Sequence, residues 1–405
     1  MKKNIIWNAI GSTISSFSSL FFLILVTRIN GLEDAGIFTY SFSTACILYT
    51  IGVYYGRAYQ VTETKNYSDT DYIYNRITTC ILMLLAALLF LGIKHYSGYK
   101  TMVLFLLCLF KSLEAFSESL YAIIQEKNML SLVGKSMTFK TIISFFFFLI
   151  VDLITKNVLL SILAIILVNL IIILFYDKKN IGNIEVSTFD HNINKKLLKA
   201  GLFTFAFSIL SIYVINASKY AIDGRLSEDM QAIYGIIIMP ATIMSLFSQF
   251  IIQPYLMNIK SKLQNNDYKG FIKLVRNIMI FMLGIGIFSI ILAYFIGLPI
   301  LEIVYGVSLK LYKLNFLIIM IGSLFYGYSV LISFILIAMR KTFCQFIILL
   351  ITSICALFIS NYLVIHYELM GASIAYFLVM FVEFIMYTFI MIFYLRKMKE
   401  NKLKC

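Results

Sequence analysis

The chain has 405 residues, 61% of them hydrophobic and only 13% charged, with a mean hydropathy of +0.90. A water-soluble domain of this size could not leave so much apolar surface uncovered, which excludes a cytosolic enzyme. With 36 Phe, 27 Tyr and three Pro it is also no disordered, collagen-like or low-complexity chain, so the sequence is that of an integral membrane protein.

A hydrocarbon core about 30 Å thick takes about 20 apolar residues per helix. Apolar runs predict about twelve crossings, at residues 5–28, 36–57, 73–93, 101–124, 139–155, 157–176, 200–222, 232–256, 277–298, 313–338, 343–365 and 371–395. They lack the alternation of an outer-membrane strand, so the expected fold class is an all-α integral membrane bundle. The first run is followed by no small-residue cleavage site and reads as a retained helix rather than a signal peptide.

Most of the 34 basic residues lie on one side of these spans, from Lys2 and Lys3 through Arg57, Lys65, Arg76, Lys127, Lys135 and Lys140 to the Lys-rich C-terminus. The opposite side holds Arg28, Lys94, Lys100, Lys156, Lys219, Arg225, Lys310 and Lys313, while Lys111 falls within a span. By the positive-inside rule both termini are expected in the cytoplasm. The formal charge of +14 then follows from this bias and from attraction to anionic membrane lipids, and it does not point to nucleic acid.

The polar connection 177–199 divides the chain into an N-terminal six-helix half (1–176) and a C-terminal one (200–405). Arg28, Leu32, Glu33 and Asp34 after the first span recur as Arg225, Leu226, Glu228 and Asp229 after the seventh, as parallel pseudo-repeats would have it. Six cysteines, Cys46, Cys80, Cys108, Cys344, Cys355 and Cys405, are scattered through or beside apolar spans and read as small hydrophobes. His95, His191 and His366 stand singly, so no metal site is expected, and no cofactor motif is present.

A pathway should be lined by polar residues at helical spacing. Asn8, Ser12, Ser15 and Ser19 form such a face on the first span, and Thr204, Ser208, Ser211 and Lys219 on the seventh. Ser43, Thr50, Tyr54 and Arg57 share a face of the second span, and Thr242, Ser245, Gln249 and Gln253 one of the eighth. Close helix packing explains Ser and Thr equally well, as it does Gly52 and Gly56 at GxxxG spacing. Longer groups such as Arg57, Lys219, Gln249 and Gln253 need water or a partner. The fourth span carries Lys111, Glu114 and Glu118 within about 60° of one another on a helical wheel. Each charge costs about 2.5–3.5 kcal/mol on insertion scales, so pairing or a wet cavity is required, with Lys111 and Glu114 placed to pair at i, i+3. Glu383 is a second acidic group within a span, and Pro240 and Pro254 bracket the eighth.

The stretches TRINGLEDAGIFTYSFS (Thr27–Ser43), QEKNMLSLVGKSM (Gln125–Met137), SEDMQAIYGIIIMP (Ser227–Pro240) and GLPILEIVYG (Gly297–Gly306) resemble the Wzx-type flippases of O-antigen and polysaccharide repeat units. These belong to the multidrug/oligosaccharidyl-lipid/polysaccharide (MOP) exporter superfamily. The resemblance implies a MATE-like fold in a bacterial cytoplasmic membrane and translocation of undecaprenyl-pyrophosphate-linked oligosaccharide for O-antigen or capsule assembly. Cavity roles are then expected for Arg57, Lys219, Arg28, Lys111, Asn8, Ser12, Tyr54, Ser208, Gln249 and Gln253. Glu114, Glu118 and Glu383 are candidates for coupling to H+ or Na+. The carrier is expected to work as a monomer, with a polysaccharide polymerase and a chain-length regulator as possible partners. A MATE-like exporter of cationic drugs is the alternative, and a lipid II or teichuronic-type flippase would share fold and mechanism. Short outer connections and the lack of a catalytic motif argue against a membrane polymerase or acyltransferase.

Overall fold

The computed structural model describes residues 2–62, 67–252, 255–265, 267–339 and 341–403. Every regular element among them is helical. The chain forms two compact units, Met1–Ile212 and Tyr213–Cys405.

In the first unit the opening span is α1 (Lys2–Ser16) and α2 (Ser18–Ile29), separated at Phe17. Gly31, at φ 99°, turns the chain into α3 (Leu32–Val53), whose first turn holds Glu33 and Asp34 against the positive end of the helix dipole. α3 stops short of the expected span end, because Tyr54 (φ 54°) and Gly56 (φ 75°) break it before the short α4 (Gly56–Thr62). Tyr54 and Arg57 therefore do not continue the Ser43–Thr50 face. Gly56 serves the turn and not a GxxxG contact, whereas Gly52 lies where a Cβ would come 2.9 Å from that of Ala115.

α5 (Asp69–Lys94) starts from a reciprocal cap: Ser68 Oγ accepts from Asp71 N at 3.2 Å and Ser68 N donates to Asp71 Oδ2 at 2.9 Å. α6 (Gly98–Glu126) follows, then α7 (Leu130–Thr155) and α8 (Val158–Ile172), which Asn157 caps through the Leu159 N–H at 3.0 Å. α7 begins nine residues before the expected span, because Lys135 lies inside the helix and not in a loop. α1 and α7 cross with backbones nearly touching, a Cβ on Gly11 falling 2.2 Å from the Gly134 carbonyl oxygen. A π-helical turn, Ile173–Asp177, extends α8 into α9 (Lys178–Ile181), and α10 (His191–Ile222) carries the boundary between the units. The connection 177–199 is tied to α5, with Glu185 N donating to Asp69 at 3.1 Å and Ser187 N to Thr70 at 2.7 Å.

In the second unit Ser227 caps α11 (Glu228–Ile237), again with two acids in the first turn. Pro240 stands in the first turn of α12 (Met239–Ile252), so the eighth span bends at this proline. Pro254 lies outside the described residues. α13 (Leu256–Gln264) is short, and α14 (Tyr268–Leu292) runs through a second π turn (Ala293–Gly297) into α15 (Leu298–Tyr305). The expected outer connection from Gly297 to Tyr312 is thus largely helix, and its loop shrinks to the residues before α16 (Lys313–Ala338). α17 (Thr342–Leu403) is interrupted at Glu368 (φ 49°, ψ −130°), which separates the eleventh span from the twelfth.

Ten helical stretches are long and apolar enough to cross a bilayer. One of them, Thr342–Arg396, is the pair divided at Glu368, and α6 has the length but carries too many charges to register by apolarity. The twelve expected crossings are all present as helices. Burial is inverted relative to a soluble protein: on α5, Leu89 is 69% exposed and Arg76 is fully buried. Apolar side chains outward and polar ones inward mark a multi-pass membrane protein.

Candidate functional site

The first unit encloses a cavity of about 70 Å³ between the opening span, α3, α6, α7 and α8, with Ser15, Tyr49, Glu114, Glu118, Lys140 and Asn169 among its walls. α6 supplies most of the charge. Lys111 Nζ donates to Glu114 Oε2 at 2.6 Å and stands 4.6 Å from the ring centroid of Phe42, so the expected i, i+3 pair forms against an aromatic wall. One turn on, Glu118 Oε2 lies 3.7 Å from Arg57 Nε on α4. Arg57 Nη1 is buried with no hydrogen-bond partner among the described residues, leaving the guanidinium a donor still to be satisfied.

A second buried pair was not anticipated. Lys140 Nζ donates to Asp177 Oδ2 at 2.5 Å, to Ser117 Oγ at 2.6 Å and to Tyr121 Oη at 3.0 Å. Ser136 Oγ closes the ring, donating to Asp177 Oδ1 at 2.5 Å and lying 2.9 Å from Tyr121 Oη. Asp177 is fully buried although it opens the polar stretch DKKN. The cause is the π turn, which absorbs one extra residue and so carries Asp177 back to the inward face of Asn169. Strict α periodicity misplaces it.

Arg76, counted from sequence among loop charges, is likewise interior. Its Nη1 donates to Gly52 O at 2.6 Å and to Val53 O, and Thr79 Oγ1 donates to Gly52 O at 2.7 Å. These carbonyls are the ones released where α3 breaks, and the guanidinium also lies 5.1 Å from the Tyr55 ring centroid.

The other expected site residues are dispersed. Asn8 and Ser12 are half-buried on α1, where Ser12 Oγ donates to Ala9 O at 3.1 Å. Thr50 and Ser245 likewise bond backbone within their own helices, and Thr242 bonds Ile238 O just before α12, as close packing requires. Tyr54 stacks on Phe205 with centroids 5.1 Å apart, Ser208 is half-buried on α10, and Arg28 is exposed at the end of α2. Lys219, Gln249 and Glu383 belong to the second unit. Glu383 is buried, its Oε2 without a hydrogen-bond partner among the described residues, and lies within electrostatic range of Tyr326, Tyr376 and Tyr387. Gln253 lies outside the described residues. The structure therefore brings together Arg57, Lys111, Glu114 and Glu118, joined by Lys140 and Asp177, and each cation in this set faces a carboxylate.

No family model matches the sequence. The chain is 24% identical over 392 residues to the capsular polysaccharide biosynthesis protein CapF of Staphylococcus aureus, a match spanning 96% of this chain and 98% of that protein. Among solved structures it is similar to an inward-facing multidrug resistance MATE family transporter of the MOP superfamily, with a TM-score of 0.73, 10% identity, and coverage of 98% of this chain and 99% of the other. It is also similar to the lipid II flippase MurJ in an inward closed conformation, with a TM-score of 0.74, 15% identity, and coverage of 98% and 91%. Over nearly its whole length the chain has the fold shared by MATE transporters and MurJ.

Proposed function

We propose that the protein is a flippase that carries undecaprenyl-pyrophosphate-linked oligosaccharide repeat units across the bacterial cytoplasmic membrane for capsule or O-antigen synthesis, with both termini in the cytoplasm. The observation that carries this reading is the match to CapF along almost the full length of both chains. Sugars and pyrophosphate must cross hydrocarbon while a polyprenyl tail can stay in lipid, so the carrier needs a polar interior inside an apolar shell, and the first unit has one. Arg57 is the residue we assign to pyrophosphate, because its guanidinium keeps an unused buried donor and can exchange Glu118 for a second anion. Lys219, Arg28 and Lys111 add to the field. Asn8, Ser12, Tyr54, Ser208, Gln249 and Gln253 serve the sugars. The two six-helix halves alternate access, driven by H+ or Na+ at Glu114, Glu118 or Glu383. Polymerase and chain-length regulator act on the delivered units.

The test is lipid analysis of a deletion strain. Undecaprenyl-pyrophosphate-linked repeat units accumulate on the inner leaflet and surface glycan disappears, and the intact gene restores both. Normal glycan with altered sensitivity to cationic dyes would replace the proposal with drug export. That second reading has one observation in its favour, the buried Glu383, which has no ion pair among the described residues.

A further inference from the structure

The second unit contains a cavity of a different chemistry. It measures about 380 Å³ and lies between α12, α14, the π turn at Ala293–Gly297 and α16. Among the described residues no ionisable side chain lines it, and of its few polar groups Ser248 donates its hydroxyl to Met244 O at 3.1 Å. The inner wall is buried Met282, Phe316 and Met320, while Phe247, Ile296 and Ile300 on its rim are 47–56% exposed. These rim residues belong to helices long and apolar enough to cross a bilayer, so the mouth of the cavity is as apolar as its walls.

Packed interiors hold few voids larger than a water molecule, and apolar cavities take apolar guests. A cleft of this size with an apolar mouth falls in the size range of small-molecule pockets. Its chemistry admits only hydrocarbon. Methionines from three helices, Met244, Met282 and Met320, give a wall that repacks around an irregular guest, which suits a methyl-branched chain better than a straight acyl chain. The two cavities differ in kind, charged in the first unit and apolar in the second, and the apolar one suits the hydrocarbon part of an amphiphile.

We infer that this cavity holds a segment of the polyprenyl tail of the carrier lipid. The inference rests on the flippase reading for the identity of the cargo and goes beyond it in assigning a tail site to residues of α12, α14 and α16.

The experiment uses the full chain in nanodiscs of phosphatidylethanolamine and phosphatidylglycerol, with undecaprenyl phosphate carrying a photoreactive diazirine in its terminal isoprene. Labelled peptides should contain residues of 282–300 or 316–327, and excess unlabelled undecaprenyl phosphate should lower labelling at least fivefold. Ile285→Trp, which fills the cavity from its half-buried wall, should do the same, while Ile354→Trp on the exposed side of α17 should not. Competition on the unmodified protein keeps the test decisive should Ile285→Trp fail to fold. Labelling elsewhere overturns the tail site, as does equal labelling of these peptides by an acyl-chain diazirine phosphatidylglycerol that undecaprenyl phosphate does not displace. Repeat-unit export by the same protein in cells is scored separately. Export without competed labelling removes the tail site and leaves the flippase reading, and competed labelling without export does the reverse.

Discussion

Replacing Asp177 by Asn leaves the Lys140 ammonium in a site built for an ion pair. Asp177 is fully buried and the Lys140 side chain is 7% exposed, so bulk water cannot take over from the lost carboxylate. Breaking such a pair by removing one partner costs about 3–5 kcal/mol, whereas removing both charges is far milder because the desolvation cost vanishes with them. At about 2–4 °C per kcal/mol for a unit of this size, Asp177→Asn should lower the apparent melting temperature in detergent by on the order of 10 °C. The double variant Lys140→Met with Asp177→Asn should recover at least half of that loss. Ser117 and Tyr121 remain as acceptors for Lys140 in the single variant, which places the effect toward the lower end. The assay is thermal unfolding followed by fluorescence and size-exclusion recovery for wild type, both single variants and the double. Equal melting of Asp177→Asn and wild type, or a double variant no better than the worse single one, would refute the buried pair.

Gly134→Leu should abolish membrane accumulation, since even a Cβ there falls 2.1 Å from the Trp7 carbonyl oxygen; Gly92→Leu, with open space around it, should leave accumulation unchanged on fluorescence-detected chromatography. Arg76→Met should destabilise the first unit by about 2–4 kcal/mol, because two carbonyls at the α3 break lose a charged donor, and a melting shift below 2 °C would contradict that role. Arg57→Ala should stop repeat-unit export while the protein stays in the membrane, with Arg57→Lys restoring part of it; full export by Arg57→Ala in a surface-glycan assay would remove Arg57 from the site. Glu114→Gln, Glu118→Gln and Glu383→Gln test coupling: export by all three at the wild-type rate across external pH would remove these carboxylates from the mechanism.

Span number, the all-helical class and the Lys111–Glu114 pair were legible because they follow from apolar run length and helical spacing alone. The repeat signature was legible for a local reason too, since Glu33–Asp34 and Glu228–Asp229 both occupy first helical turns. Arg76 and Lys140 were not, because both border apolar runs and composition cannot distinguish a loop charge from one whose partner comes from another helix. Asp177 was hidden by the π turn, and Tyr54 by a helix break in which Tyr54 itself takes a positive φ that its residue type does not announce, while Gly56 fitted GxxxG spacing as well as a turn. Ser12, Thr50 and Ser245 fit a polar stripe in sequence but bond their own backbones, a distinction that only geometry makes.

The charges of α6 also have a consequence for biosynthesis. Three ionised groups at about 2.5–3.5 kcal/mol each would oppose insertion of this helix by itself. The order of synthesis answers the problem in part: Lys111 and Glu114 emerge together as their own neutral pair, and Arg57, the counter-charge for Glu118, is made before it. Lys140 has the opposite history, for it emerges 37 residues ahead of Asp177. Until α8 and its π turn follow, the Lys140 ammonium has only the Ser117 and Tyr121 hydroxyls to meet it, so its charge is matched only once Asp177 is in place.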